Sequence, residues 1–165
     1  MSPADILYSV GLTVAGSIAI AYTTLWLQNR IRRRKLFNSL YYEIVANFSV
    51  AMHDLGIINF LEEHKSRGKS EGDWTYFDIS LFHTSCYQTF QLGGEPLNLP
   101  HKIAMTLGET YELIFTHNRQ IALLTLEFPP RARGISERLK TIMDKLNLLQ
   151  AEMERTHFVN PKPPG

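Results

Sequence analysis

A charge-free run near the N-terminus is the feature that most constrains the fold of this chain. Ile6 to Leu27 are 22 residues without an Asp, Glu, Lys or Arg. At about 1.5 Å per residue, a helix of this length spans roughly 33 Å and matches the ~30 Å hydrocarbon layer of a bilayer. A cleaved signal peptide needs a basic start, whereas residues 1–5 contain no Lys or Arg. The run predicts a transmembrane anchor within residues 1–29.

Residues 30–35 form a basic collar directly after the apolar run. Short basic flanks of a membrane helix are retained on the cytoplasmic side, and the N-terminal residues offer no opposing cations. We therefore expect a single-pass cell-membrane protein with its N-terminus outside and its C-terminal domain in the cytoplasm. A topology signal is the simpler interpretation of the collar, and attraction to anionic lipid headgroups is the alternative. The collar cations are Arg30, Arg32, Arg33, Arg34 and Lys35.

A stripe of small residues lies within the apolar run. Gly11, Ala15 and Ala19 recur every four residues, so a helix places them on one face. Such stripes let two membrane helices approach closely, and small residues are also frequent in membrane helices that do not pair. We therefore treat pairing of two membrane helices through this stripe as a hypothesis.

The remainder of the chain has the periodicity of helices. Apolar residues recur at three- and four-residue spacing, and no alternating run of useful length predicts a strand. The predicted fold class is all-α, with a small cytoplasmic bundle of about four helices over residues 36–158 and a disordered tail over residues 159–165. The expected helices are Leu36 to His64, Trp74 to Leu92, Pro100 to Phe128, and a fourth that begins near Gly134.

The last predicted helix has the most regular apolar pattern. Its large side chains alternate at spacings of four and three residues, which is typical of a coiled-coil seam or of one face in a packed bundle. A small domain needs every apolar face for its own core, so we favour the bundle. The seam residues are Ile135, Leu139, Ile142, Leu146, Leu149 and Met153.

Four polar residues stand on otherwise apolar helix faces. Glu43 and Asn47 are four residues apart, and Tyr111 and Asn118 are seven apart, so each pair shares one side of its helix. Packing of the two helices could join them in a buried hydrogen-bonded network that fixes helix register. The alternative is a ligand pocket.

The residues that could support catalysis or metal binding are sparse. Cys86 is the only cysteine, so an intrachain disulfide and a multi-cysteine zinc site are excluded. His83 and Cys86 could reach one metal from the same helix face, but two ligands make a weak site. No phosphate-binding glycine loop or nucleophile elbow occurs. We therefore expect no enzymatic activity, no cofactor and no metal.

The charge balance of the domain disfavours nucleic-acid polymers as partners. Beyond residue 35 the chain carries 12 basic and 15 acidic residues, a net charge of −3. A protein that follows a phosphate backbone needs the opposite sign.

The elements Glu43-Ile44-Val45-Ala46-Asn47 and Tyr111 to Asn118 resemble the E-I-x-x-N and Y-x6-N elements of a loose group of small prokaryotic membrane-anchored helical proteins. The resemblance implies one transmembrane helix and a cytoplasmic helical bundle.

Two classes of function follow. The first is a non-enzymatic structural or interaction subunit that contacts membrane lipids and binds a protein partner or forms a homo-oligomer. The alternative is a ligand-gated membrane effector, for example of prokaryotic antiviral defence, that senses an anionic nucleotide signal. Cations of the domain could hold such an anion: His101, Lys102, Arg119, Arg131 and Arg133.

Overall fold

The computed structural model describes residues 3–66, 79–94, 99–123 and 132–156. Every regular element in these residues is a helix and none is a strand, so the all-α prediction is confirmed. The chain divides into two compact units, Met1–Leu36 and Phe37–Gly165, which are described separately below. The helices are α1 (Pro3–Ser66), α2 (Ser85–Leu92), α3 (His101–Leu123) and α4 (Ala132–Arg155).

The first unit consists of the N-terminal part of α1. Its hydroxyl groups bond carbonyl oxygens one turn earlier, such as Thr23 Oγ1 to the oxygen of Ala19 at 2.7 Å. Its large apolar side chains are exposed, and several are 60 to 74% exposed: Leu12, Ile18, Ile20, Tyr22 and Leu25. In the described part of the chain, no helix is both long enough and apolar enough to cross a membrane.

The second unit begins with the C-terminal part of α1, which turns one apolar face into the core. Four-residue spacing after Leu40 and Ile44 would continue this face through Phe48 and Met52, but Met52 is 55% exposed and Phe48 is only half-buried. The buried position in that turn is Ala51, because the face shifts by one residue to stay in register with the core. The other buried apolar residues of this face are Leu40, Ile44, Leu55 and Ile58.

The predicted start of the second helix is wrong. We expected Trp74 to Leu92, but residues 79–84 are not helical and α2 begins only at Ser85; residues 74–78 lie outside the described residues. The predicted stop is confirmed, because Gly93 follows the last helical residue and Gly94 adopts a φ of 69°. A positive φ is accessible to glycine without the steric cost of a Cβ atom.

Helices α3 and α4 pack against each other and complete the bundle. Pro100 lies just before α3, and its carbonyl accepts a bond from the Ala104 N–H at 3.0 Å. The predicted end of α3 at Phe128 and the tail 159–165 lie outside the described residues. All six seam residues of α4 are at most 3% exposed. The seam is therefore a face of the bundle core, as expected for a bundle rather than a free coiled coil.

Candidate functional site

The most elaborate polar structure of the domain surrounds residues 79–84, which we call the clasped segment. Asn47 of α1 bonds one residue of this segment twice: its Nδ2 donates to the His83 carbonyl at 2.8 Å, and its Oδ1 accepts from the His83 N–H at 2.7 Å. Asn118 of α3 bonds Phe82 in the same way: its Nδ2 donates to the Phe82 carbonyl and its Oδ1 accepts from the Phe82 N–H, both at 2.9 Å. Four backbone groups outside any helix are thus paired by two side-chain amides.

These paired bonds determine the local shape of the clasped segment. One side-chain amide reaches both the N–H and the C=O of a single residue, which requires that the two groups point to the same side, as they do in a β-strand. Successive residues of a strand point these groups to opposite sides, so Asn118 and Asn47 hold Phe82 and His83 from opposite edges. The two amides take the place of neighbouring strands and prevent the segment from joining α2.

The carboxylate of Glu43 caps the N-terminus of α2. It accepts bonds from the N–H groups of Cys86 at 2.7 Å and Tyr87 at 3.1 Å. The Ser85 hydroxyl also donates to it, at a longer 3.4 Å. The local N-cap residue, Thr84, makes no capping hydrogen bond with its side chain. A negative group at a helix N-terminus satisfies free amides and interacts favourably with the helix dipole, so Glu43 replaces the local cap from another helix.

Tyr111 completes the surroundings of this carboxylate. Its hydroxyl donates to Glu43 Oε1 at 2.7 Å, and its ring stacks on that of Tyr87 with centroids 3.9 Å apart. Burial raises the pKa of Tyr111, and the adjacent Glu43 charge raises it further. The phenol therefore stays protonated and remains a hydrogen-bond donor.

Asp54 is a member of this structure that the sequence analysis missed. It is fully buried, and its Oδ1 accepts a bond from the Ser80 N–H at 3.4 Å and lies 3.2 Å from His53 Nδ1. Glu43, Asn47 and Asp54 follow one another at spacings of four and seven residues, which keeps them on one side of α1. That spacing is visible in the sequence and could have added Asp54 to the predicted polar network.

His117 of α3 contacts the clasped segment through Phe82. It is fully buried, its ring packs edge-on to Phe82 with centroids 5.1 Å apart, and neither ring nitrogen has a hydrogen-bond partner among the described residues. Burial lowers the pKa of His117 to about 4, with a smaller contribution from the charge of Arg138. The imidazole is therefore neutral at neutral pH.

The structure brings together only part of the predicted polar network. Tyr111 bonds Glu43 directly, but neither Asn47 nor Asn118 bonds another member. Each asparagine bonds backbone instead, because the clasped segment lies against both helices. Sequence spacing can place side chains on a helix face but cannot show which chain segment will cover that face.

The weak metal pair does not form a site in the described residues. His83 is exposed and Cys86 is half-buried, and no group of three or more His, Cys, Asp or Glu side chains is placed to hold an ion there. Burial raises the pKa of the Cys86 thiol, and the nearby Glu43 carboxylate raises it further. The thiol is thus a poor nucleophile, since nucleophilic cysteines need a lowered pKa.

The cations predicted to bind an anionic ligand are exposed wherever their side chains are described. Lys102 pairs with Glu152 at 2.8 Å, while His101 and Arg119 are exposed on α3. Arg131 and the side chain of Arg133 lie outside the described residues.

The remaining predicted residues lie in the N-terminal unit. Gly11, Ala15 and Ala19 are exposed along α1, and every collar cation is exposed. The guanidinium group of Arg30 lies 5.3 Å from the centroid of the Trp26 ring, a cation–π contact.

Comparison with known proteins gave no relative for this chain: no protein-family model, no curated protein and no solved structure matches it.

Proposed function

We propose that this chain is a single-pass membrane protein whose N-terminal helix holds a non-enzymatic helical interaction domain at the cytoplasmic surface. The observation that carries the proposal is the exposed apolar surface of α1, followed at once by exposed cations. Large aliphatic side chains such as Ile18 and Ile20 are 64% and 71% exposed along a stretch without a charge. A surface of this kind is stable in hydrocarbon and unfavourable in water.

The length of the apolar run supports a complete span. The described side chains begin at Gly11, and Gly11 to Leu27 are 17 residues, fewer than the ~20 that cross a bilayer. The charge-free sequence from Ile6 to Val10 adds five residues. Hydroxyl groups in the run cost little in hydrocarbon when they bond the helix itself, as Ser17 does to the Thr13 carbonyl at 2.9 Å.

An interaction role is favoured over catalysis by the way the buried polar groups are used. Glu43, Asn47 and Asn118 direct their hydrogen bonds at the backbone of their own domain. Groups that are already paired in this way hold a structure rather than bind a substrate. The domain also presents large apolar side chains at its surface, which protein interfaces commonly use: Met52, Phe60, Leu81, Leu92 and Met105.

Membrane integration is tested by washing membranes that contain the full chain at alkaline pH. The parent should remain in the pellet with integral proteins. A Val14→Arg/Ile18→Arg variant should move to the supernatant, because each arginine near the centre of a span costs about 2.5–3.5 kcal/mol on insertion scales. Release of the parent itself would refute the anchor.

The interaction role is tested on the detergent-purified full chain. Light scattering should give a protein mass above the 18.9 kDa of one chain, from a homo-oligomer or a co-purified partner. A titration with cyclic oligonucleotides should show no saturable binding. Saturable binding would instead favour the ligand-gated effector.

A further inference from the structure

We propose that the basic collar is a binding site for the phosphate groups of anionic phospholipids, formed by arginine side chains that surround α1. The proposal rests on the proposed membrane anchor, because the collar meets headgroups only if the preceding apolar helix lies in the bilayer.

The distribution of the cations round the helix is the first argument. Residues 30 to 35 lie within α1, and all five cations are exposed. At about 100° per residue, the five side chains leave no gap wider than about 100° round the helix axis. A protein or nucleic acid would meet one face of the helix and would need a one-sided stripe. Lipid headgroups surround a membrane helix on every side, and a ring of cations fits that environment.

The choice of residue is the second argument. Four of the five cations are arginine and one is lysine. Retention on the cytoplasmic side requires positive charge, which lysine supplies as well as arginine. The planar guanidinium group adds two parallel hydrogen bonds to a phosphate, which an ammonium group cannot make. The excess of arginine therefore indicates phosphate binding in addition to topology.

The position of Trp26 is the third argument. Indole rings favour the boundary between hydrocarbon and headgroups, and Trp26 is exposed there at the end of the charge-free run. Its contact with Arg30 at 5.3 Å places a guanidinium group at the level of the ring. The other collar cations follow Arg30 within about one further helical turn. This places them in the headgroup layer beyond the hydrocarbon, where the lipid phosphates lie.

The same tryptophan provides a local probe. The chain has two tryptophans, so Trp74→Phe leaves Trp26 as the only one. This full-length protein is reconstituted into phosphatidylcholine vesicles that contain either dibrominated phosphatidylglycerol or dibrominated phosphatidylcholine at equal mole fraction. Bromine quenches only neighbouring indoles, so the two quenching curves give the relative affinity of each lipid for the collar. We expect a preference for phosphatidylglycerol of at least about threefold.

The decisive variant is Arg32→Lys/Arg33→Lys/Arg34→Lys, which keeps the charge and leaves the Arg30 contact with Trp26 intact. The preference should fall by at least about half, because the paired phosphate bonds are lost. Lys140→Gln, at an exposed position of α4 outside the collar, removes one charge and should leave the preference unchanged.

Four results would overturn the proposal. The lysine variant could keep the full preference, which would show that charge alone acts. Equal quenching by both lipids in the parent would show that the collar does not select phosphatidylglycerol, while the anchor stands. Quenching by neither lipid would refute the anchor as well. Displacement of the lipid preference by added RNA would favour a nucleic-acid partner instead.

Discussion

Asn47 and Asn118 each use one whole side-chain amide to bind the backbone of a single residue in the clasped segment. An amide carries a donor and an acceptor at the spacing of a backbone N–H and C=O, so it can replace a neighbouring strand. Glutamate at position 43 suits a different partner, the free N–H groups at a helix start. The residue types thus match the groups they hold, and this match was not visible from spacing alone.

Asn47→Leu should lower the free energy of unfolding by roughly 1–3 kcal/mol, because it leaves the N–H and C=O of His83 without a partner. Thermal and urea unfolding of the detergent-purified full chain, followed by circular dichroism, measure this change. Asn147→Leu is the matched control, since Asn147 is exposed on α4 and its replacement should alter stability by less than about 0.5 kcal/mol. Equal stability of the Asn47→Leu protein and the parent would show that the clasp contributes nothing to the fold.

His117 should make the domain less stable as the pH falls from 6.5 to about 4. Its ordinary pKa of 6.5 applies to the unfolded chain and its lowered pKa of about 4 to the folded one. In this window the unfolded state binds a proton that the folded state excludes, so unfolding is favoured by up to roughly 3 kcal/mol at the acid end.

Unfolding curves at several pH values test this dependence. His117→Phe should flatten the loss of stability between pH 6.5 and 4, whereas His101→Gln, at an exposed position, should not. An unchanged slope in the His117→Phe protein would contradict the account.

At the scale of elements, the sequence predicted three helices well and one poorly. Helices α1, α3 and α4 each pack one face against the core. The apolar residues of such a face recur at three- and four-residue spacing, so the sequence reveals them. Residues 79–84 also contain apolar side chains, and their pattern predicts that they belong to the second helix. Their conformation is determined by Asn47 and Asn118, which are about 36 residues away in either direction. Local periodicity carries no information on such distant partners.

The seam of α4 provides a direct test of element packing. Leu146→Ala should lower the free energy of unfolding by about 2–5 kcal/mol, because a fully buried side chain is removed and a cavity remains. Leu148→Ala, two residues later and 45% exposed, is the matched control and should cost much less. Similar melting temperatures for the two variants would mean that Leu146 does not belong to the core of the isolated bundle.

At the scale of the whole molecule, the two units follow different physical rules. The unit Phe37–Gly165 buries a core of apolar side chains and pairs the backbone of the clasped segment with buried polar side chains, as expected of a domain in water. The unit Met1–Leu36 exposes large apolar side chains on a helix whose hydroxyl groups bond its own backbone, and the proposed membrane anchor would account for both features. The contrast was already present in the sequence as a charge-free run, a basic collar and an amphipathic remainder.

Orientation in the membrane tests the central claim most directly. A fluorescent reporter that matures only in the cytoplasm and an enzyme reporter that is active only outside it are fused separately after Gly165, and both fusions are expressed in bacteria. The basic collar predicts activity from the cytoplasmic reporter alone, because the collar cations are retained on that side. Activity from the external reporter alone would contradict the proposed placement of the domain.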